Sequence, residues 1–145
     1  MEDVQRHNQN MIDHPSSAHP WGDEVSPYVE IGGEEGVRRL SETFYDIIEE
    51  ESPILRAILP RNTMKTRQKF YMYLSGWLGG PPLYEMKWGH PRLKMRHNPF
   101  KIGDEEAAEW MRCMGIALER VKVAEPLTRF LTTQFEGVAL HMRNQ

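Results

Sequence analysis

The sequence predicts an all-α protein. Two observations carry that prediction. Apolar residues recur three or four apart in four separate stretches, which is the period of a helix with one buried face. No stretch alternates apolar and polar residues between turn signals, as a half-buried strand would. A length of 145 residues suits one hydrophobic core, and two helix pairs are the simplest packing for it.

Residues 1–27 are polar, with His7, His14 and His19 scattered among Asn, Gln, Ser and Pro. They offer little apolar surface to offset the entropy of ordering, so they read as a flexible arm preceding a domain over 28–145. The three histidines match no helical or zinc-ligand spacing, and Trp21 gives the arm one residue that can rest on the domain. From Glu34 the pattern turns helical: Val37, Leu40, Phe44, Ile47 and Ile48 share a face, and Pro53 ends the run by disfavouring the α conformation before it. A second helix starts near Thr63, buries Phe70, Tyr73, Leu74, Trp77 and Leu78, and stops at Gly79-Gly80-Pro81-Pro82. A third follows Asp104 and buries Ala107, Trp110, Met111, Met114, Leu118 and Val121. The fourth begins at Pro126 and buries Leu127, Phe130, Leu131, Gln134, Phe135 and Val138.

Charge and cysteine usage narrow the function. The net charge of −3 supplies no field for DNA, RNA or an anionic membrane, and Lys and Arg are interleaved with Asp and Glu. The longest apolar run, near Phe70–Leu74, is far short of the ~20 residues that span a bilayer. Cys113 stands alone, so neither an internal disulfide nor a thiolate metal site is available, and a reducing cytoplasm is the expected compartment. Met1-Glu2-Asp3 opens no apolar leader, so no secretory signal is expected.

The stretch from Gly79 to Gly103 is long for a helix-to-helix connection, which usually takes about 2–8 residues. Leu83, Tyr84, Met86, Trp88, Leu93, Met95, Phe100 and Ile102 all call for burial, so an ordered wall around a cofactor is expected there. Within it Pro91–His97 can form one or two helical turns, with Pro91 suited to the first position. Leu93 and His97 then share a face, and Arg92 and Arg96 share the next. An apolar residue, an imidazole and adjacent cations suit a flat apolar ring that carries iron and two carboxylates. From spacing alone, a histidine that closes its short helix before Pro99 is the simpler account of His97. His90, in Gly89-His90-Pro91, is a second possible ligand, although its neighbours suit a turn.

The run Gly79-Gly80-Pro81, then Gly89-His90-Pro91-Arg92-Leu93-Lys94-Met95-Arg96-His97-Asn98-Pro99-Phe100, with Trp110 beyond, closely resembles the group II truncated haemoglobins. The resemblance extends from Ile31-Gly32-Gly33 to the last helix. It implies a two-over-two helical sandwich around haem b, with His97 as the proximal iron ligand. Tyr45 matches the family's distal tyrosine and Trp110 its pocket tryptophan, each a single donor toward a bound gas. Arg96 and Lys69 match the cations that meet the propionates, and Leu93 and Ile102 match apolar haem contacts. Leu59, Thr66 and Phe70 fall at distal-pocket positions where relatives usually carry Tyr, Phe or His, then alanine, then leucine. Glu106-Ala107-Ala108-Glu109 also lacks the Arg-Asp pair common before the tryptophan.

The resemblance therefore implies a haem protein that binds O2, and also NO, CO or peroxide, as an oxygen carrier or sensor. A nitric oxide dioxygenase or peroxidase would use the same pocket. It would need a separate electron-donor reductase, since the chain has no strand followed by Gly-x-Gly-x-x-Gly. A haem-free helical interaction module is the remaining alternative from the Met and Trp content.

Overall fold

The computed structural model describes residues 26–89 and 103–143. The described residues form seven helices: α1 (Pro27–Glu30), α2 (Gly33–Glu51), α3 (Pro53–Ala57), α4 (Met64–Trp77), α5 (Leu83–Trp88), α6 (Asp104–Arg120) and α7 (Glu125–Met142). No strand occurs among them. The arm up to residue 25 lies outside the described residues, as does the segment 90–102 with His90, Arg92, Leu93, Met95, Arg96, His97, Phe100 and Ile102.

The four expected helices are present as α2, α4, α6 and α7. On α2 the anticipated face is the buried one, with Val37, Leu40, Phe44, Ile47 and Ile48 all in the core. That face packs on both α4 and α6, while α7 packs on α6. Trp77 of α4 stacks on Phe135 of α7 at 4.4 Å between ring centroids, which closes the two-over-two arrangement at its centre. Such ring pairs add about 0.5–1.5 kcal/mol beyond the area they bury. Trp110 and Met111 on α6, Val121 at its C-cap, and Phe130 and Gln134 on α7 are only partly covered. Cys113, Ala117, Ala139 and Met142 complete the buried faces instead.

Three short helices are additions to the sequence reading. Pro53 stands just past the end of α2, as expected, but it also opens α3 at the first helical position, where its missing N–H costs nothing. Ser52 serves both elements, closing α2 and accepting the Leu55 N–H at 3.3 Å. The expected domain start at 28 falls inside α1, whose Pro27 is buried and whose cap is Ser26. Within α5, Tyr84 is buried but Met86 is 75% exposed, contrary to the burial expected of it. Two positions along a helix is about 200° of rotation, so a six-residue helix that buries Tyr84 turns Met86 to solvent.

The junction of α1 and α2 depends on Gly36. A Cβ there would stand 1.9 Å from the Ile31 carbonyl oxygen, a backbone atom that cannot step aside without moving α1. Alanine is worth about 1 kcal/mol more than glycine inside a helix, but the clash outweighs it. Gly36→Ala is expected to destabilise the fold by about 1–3 kcal/mol, read from the urea unfolding midpoint. An unchanged midpoint would show that α1 does not pack there.

Candidate functional site

A cavity of about 170 Å³ lies among the described residues. A single water needs only about 10–15 Å³ by this kind of measure, so the space takes a diatomic molecule with room for part of a larger group. Four parts of the chain meet around it. Helix α2 contributes Phe44, Tyr45 and Ile48, and the α3 corner contributes Leu55, Ile58, Leu59 and Pro60. Thr66 comes from the start of α4, Glu106, Ala107 and Trp110 from α6, and Ala139 and Met142 from the end of α7.

The wall is mostly apolar. The Glu106 carboxylate is engaged at the start of α6, where its Oε1 accepts the Gly103 N–H at 2.7 Å. Tyr45 and Trp110 remain as donors: neither the phenol O–H nor the indole N–H has a hydrogen-bond partner among the described residues. Burial pushes the Tyr45 phenol well above the usual tyrosine range, against a smaller opposing pull from Arg67, so the group stays a neutral O–H. Phe44 touches the rings of both donors, at 5.3 Å from Tyr45 and 5.2 Å from Trp110. Phe70 meets the same two rings, at 5.6 Å from Tyr45 and 6.3 Å from Trp110, so neighbouring aromatics hold each donor's ring.

The corner that carries Leu59 is held by Arg56, whose guanidinium donates to the carbonyls of Pro60 (3.1 Å) and Arg61 (3.0 Å). The same corner is tied to α6, since the Ser52 hydroxyl donates to Glu109 Oε1 at 2.7 Å and Arg112 grips the other carboxylate oxygen at 3.0 Å. Those two bonds hold the Glu109 carboxyl below the usual range, the Arg112 bond first. Burial pushes the nearby Cys113 thiol up, which suits an inert core residue rather than a nucleophile.

Of the residues read from the sequence, Tyr45, Leu59, Thr66 and Trp110 come together on this cavity although they lie far apart in the chain. Phe70 packs on the same rings, 5.3 Å from Phe44, 5.6 Å from Tyr45 and 6.3 Å from Trp110, without itself bounding the space. Lys69 places its ammonium 5.4 Å from the Trp88 ring. His97, Leu93, Arg96 and Ile102 lie outside the described residues. The sequence reading missed Leu55, Ile58, Ala139 and Met142 as wall residues. The last two follow Phe135 at helical spacing, which is the signal that could have found them.

An all-helical two-over-two domain with a tyrosine and a tryptophan lining one apolar cavity is the architecture of a truncated globin. Residues 26–144 match the bacterial-like globin family, and the chain belongs to it. It is 40% identical over 120 residues to the group 2 truncated hemoglobin YjbI of Bacillus subtilis, an alignment covering 83% of this chain and 89% of that protein. Among solved structures, the cold-adapted truncated hemoglobin of the Antarctic marine bacterium Pseudoalteromonas haloplanktis TAC125 is 38% identical with a TM-score of 0.81, covering 83% of this chain and 99% of that one. The truncated oxygen-avid haemoglobin of Bacillus subtilis is 39% identical with a TM-score of 0.78, covering 83% and 100%.

The family's cofactor is haem b, and the site fits it. A porphyrin brings four nitrogen ligands of its own and asks the protein for one more. The described residues contain no group of three or more His, Cys, Asp or Glu that could hold a bare ion. They supply instead what a macrocycle needs, an apolar wall with isolated donors. No helix among them is long and apolar enough to cross a membrane.

Proposed function

We propose that the protein binds O2 on haem b, with His97 as the proximal ligand and Tyr45 and Trp110 donating to the bound gas. The observation that carries this reading is the pair of donors, a buried Tyr45 and a partly covered Trp110, without hydrogen-bond partners among the described residues, that line one apolar cavity. Haem supplies an iron that accepts a diatomic gas and shifts electron density onto it. The chain's residues act on that charge. The phenol of Tyr45 and the indole of Trp110 reward a polar gas, while the apolar wall of Ile48, Leu55, Leu59 and Ala107 keeps water from competing. Leu59 has no hydrogen-bonding group, so the donor load falls on the two rings. Arg96 and Lys69 are the cations assigned to the propionates, and Leu93 and Ile102 the apolar contacts on the ring. The oxygen-avid character of the Bacillus subtilis relative supports the choice of O2 over the other gases. A cytoplasmic carrier or sensor fits this chemistry without further groups, and NO or peroxide turnover would add a separate reductase. Because the family binds haem b, the haem-free interaction module is set aside.

Absorption spectra of the purified, reduced protein test the reading. A Soret band that shifts reversibly on O2 titration is expected. A protein that is colourless after haem supplementation, or one that takes CO but not O2, would overturn it.

A further inference from the structure

Tyr45 is flanked by a charged device that the gas-binding reading has not used. Arg67 of α4 is largely covered, its side chain 14% exposed, and its guanidinium lies 5.8 Å from the Tyr45 ring centroid. It reaches three carboxylates at once: Glu42 at 2.7 Å, Asp46 at 2.8 Å and Glu49 at 2.9 Å. Its Nε also donates to the Thr63 hydroxyl at 3.0 Å, and that hydroxyl donates onward to Glu49 at 2.6 Å. The Thr63 bond and then the Arg67 bond hold the Glu49 carboxyl below its usual range, so the anchor stays ionised at neutral pH.

The three carboxylates sit on α2 at three residues before, one after and four after Tyr45. Arg67 is therefore docked at three points onto the helix that carries the phenol, on the stretch that surrounds it. An ion pair needed only to hold α4 to α2 would be served by one partner. A planar guanidinium with several donors can be held in one orientation by three partners, which a lysine cannot match. Phe70, one turn on from Arg67, meets the same Tyr45 ring at 5.6 Å. Between them they leave the ring little freedom, and Arg67 is the charged group that acts on the phenol.

We propose that Arg67 is the positioning residue for the Tyr45 donor: anchored on Glu42, Asp46 and Glu49, its guanidinium fixes the ring and strengthens the O–H toward a gas in the cavity. The cation favours electron density on the phenol oxygen, so the O–H bond polarises and donates more strongly. The sequence carries no sign of this, since Arg67 reads as an ordinary solvent-facing residue among Lys65, Gln68 and Lys69. The inference rests on the reading of Tyr45 as a donor to bound gas.

The test is a double-mutant cycle on the haem-loaded protein with Arg67→Met, Tyr45→Phe and both together. O2 release, CO release and the C–O stretching band of the CO-loaded protein are the readouts, with urea unfolding run alongside. Arg67→Met is expected to release O2 roughly threefold to tenfold faster, a fraction of a full charge-assisted hydrogen bond. CO release should hold steady while the C–O band moves toward its Tyr45→Phe position. In the Tyr45→Phe background Arg67→Met should change neither O2 release nor the band. Arg67→Lys, which keeps the charge but not the fork, should fall between. If Arg67→Met fails to load haem, adding Glu42→Gln, Asp46→Asn and Glu49→Gln removes the three stranded carboxylates and restores the comparison. An equal acceleration in both backgrounds, or a loss of stability with no change in O2 release or band, would make Arg67 a plain structural ion pair. A null result for Tyr45→Phe itself would instead remove the gas-binding role of Tyr45, and this inference with it.

Discussion

Tyr45→Phe and Trp110→Phe are each expected to release O2 roughly tenfold to a hundredfold faster than wild type, with CO release almost unchanged. The reasoning starts from charge. Bound O2 draws electron density and accepts hydrogen bonds, whereas CO is far less polar and gains little from a donor. A hydrogen bond to a charged or strongly polar acceptor contributes about 1.5–3 kcal/mol, and about 1.4 kcal/mol is a factor of ten. Three features of the site put the effect at the upper part of that range. The cavity wall is apolar, so water does not replace the lost donor cheaply; Leu59 cannot substitute; and both rings are gripped by Phe44 and Phe70, so neither swings across to cover for the other. Each substitution removes one polar atom, leaving a cavity of nearly the same shape for Tyr45→Phe and a somewhat larger one for Trp110→Phe. Stopped-flow release of both gases from wild type and variants is the measurement. Equal changes for O2 and CO would mean the rings act by packing alone.

His97→Ala is expected to lose most of its haem on purification, while His90→Ala keeps the native reduced spectrum. Of the two histidines in the motif, His97 follows Leu93 by four residues and His90 sits between Gly89 and Pro91. Neutral imidazole is the ligand that a haem iron takes from a globin. Free imidazole added to His97→Ala should therefore restore a haem spectrum that the substitution removed, and it should do nothing for a protein that had merely unfolded. Absorption spectra before and after imidazole, with transfer of haem to an acceptor globin as a second readout, decide the assignment. Loss of ligation in His90→Ala with retention in His97→Ala would reverse it.

Much of the architecture was readable because helical periodicity is local. Val37, Leu40, Phe44, Ile47 and Ile48 announce a buried stripe within four turns of chain, and the structure buries that stripe. Trp77 and Phe135 were each legible as core residues in the same way. The short helices α1, α3 and α5 were not, because four to six residues carry too few repeats for a period to emerge. The starts of α1 and α3 were written in Ser26-Pro27 and Ser52-Pro53, a capping residue followed by a proline at the first helical position. Met86 was misjudged for a related reason: apolar character says that a residue gains from burial, not that a short helix has a second face to offer.

Tyr45, Leu59, Thr66 and Trp110 could be named from a family motif, and helical spacing alone would have left Tyr45 and Trp110 as core aromatics. Periodicity says which side of a helix avoids water but is silent on which other element covers it, so no local pattern brings residue 45 beside residue 110. The packing of α2 on α6 makes that meeting, and the Arg56 clip and the Ser52–Glu109 bond set the corner that completes the cavity. The Arg67 anchor belongs wholly to the packed chain. Charges at 42, 46, 49 and 67 look like a solvated surface until α4 lies against α2, and only then does one guanidinium face three carboxylates and a phenol ring. Ion pairs reach across space at the cost of desolvation, and their partners are chosen by how helices stack rather than by how residues are spaced along one of them.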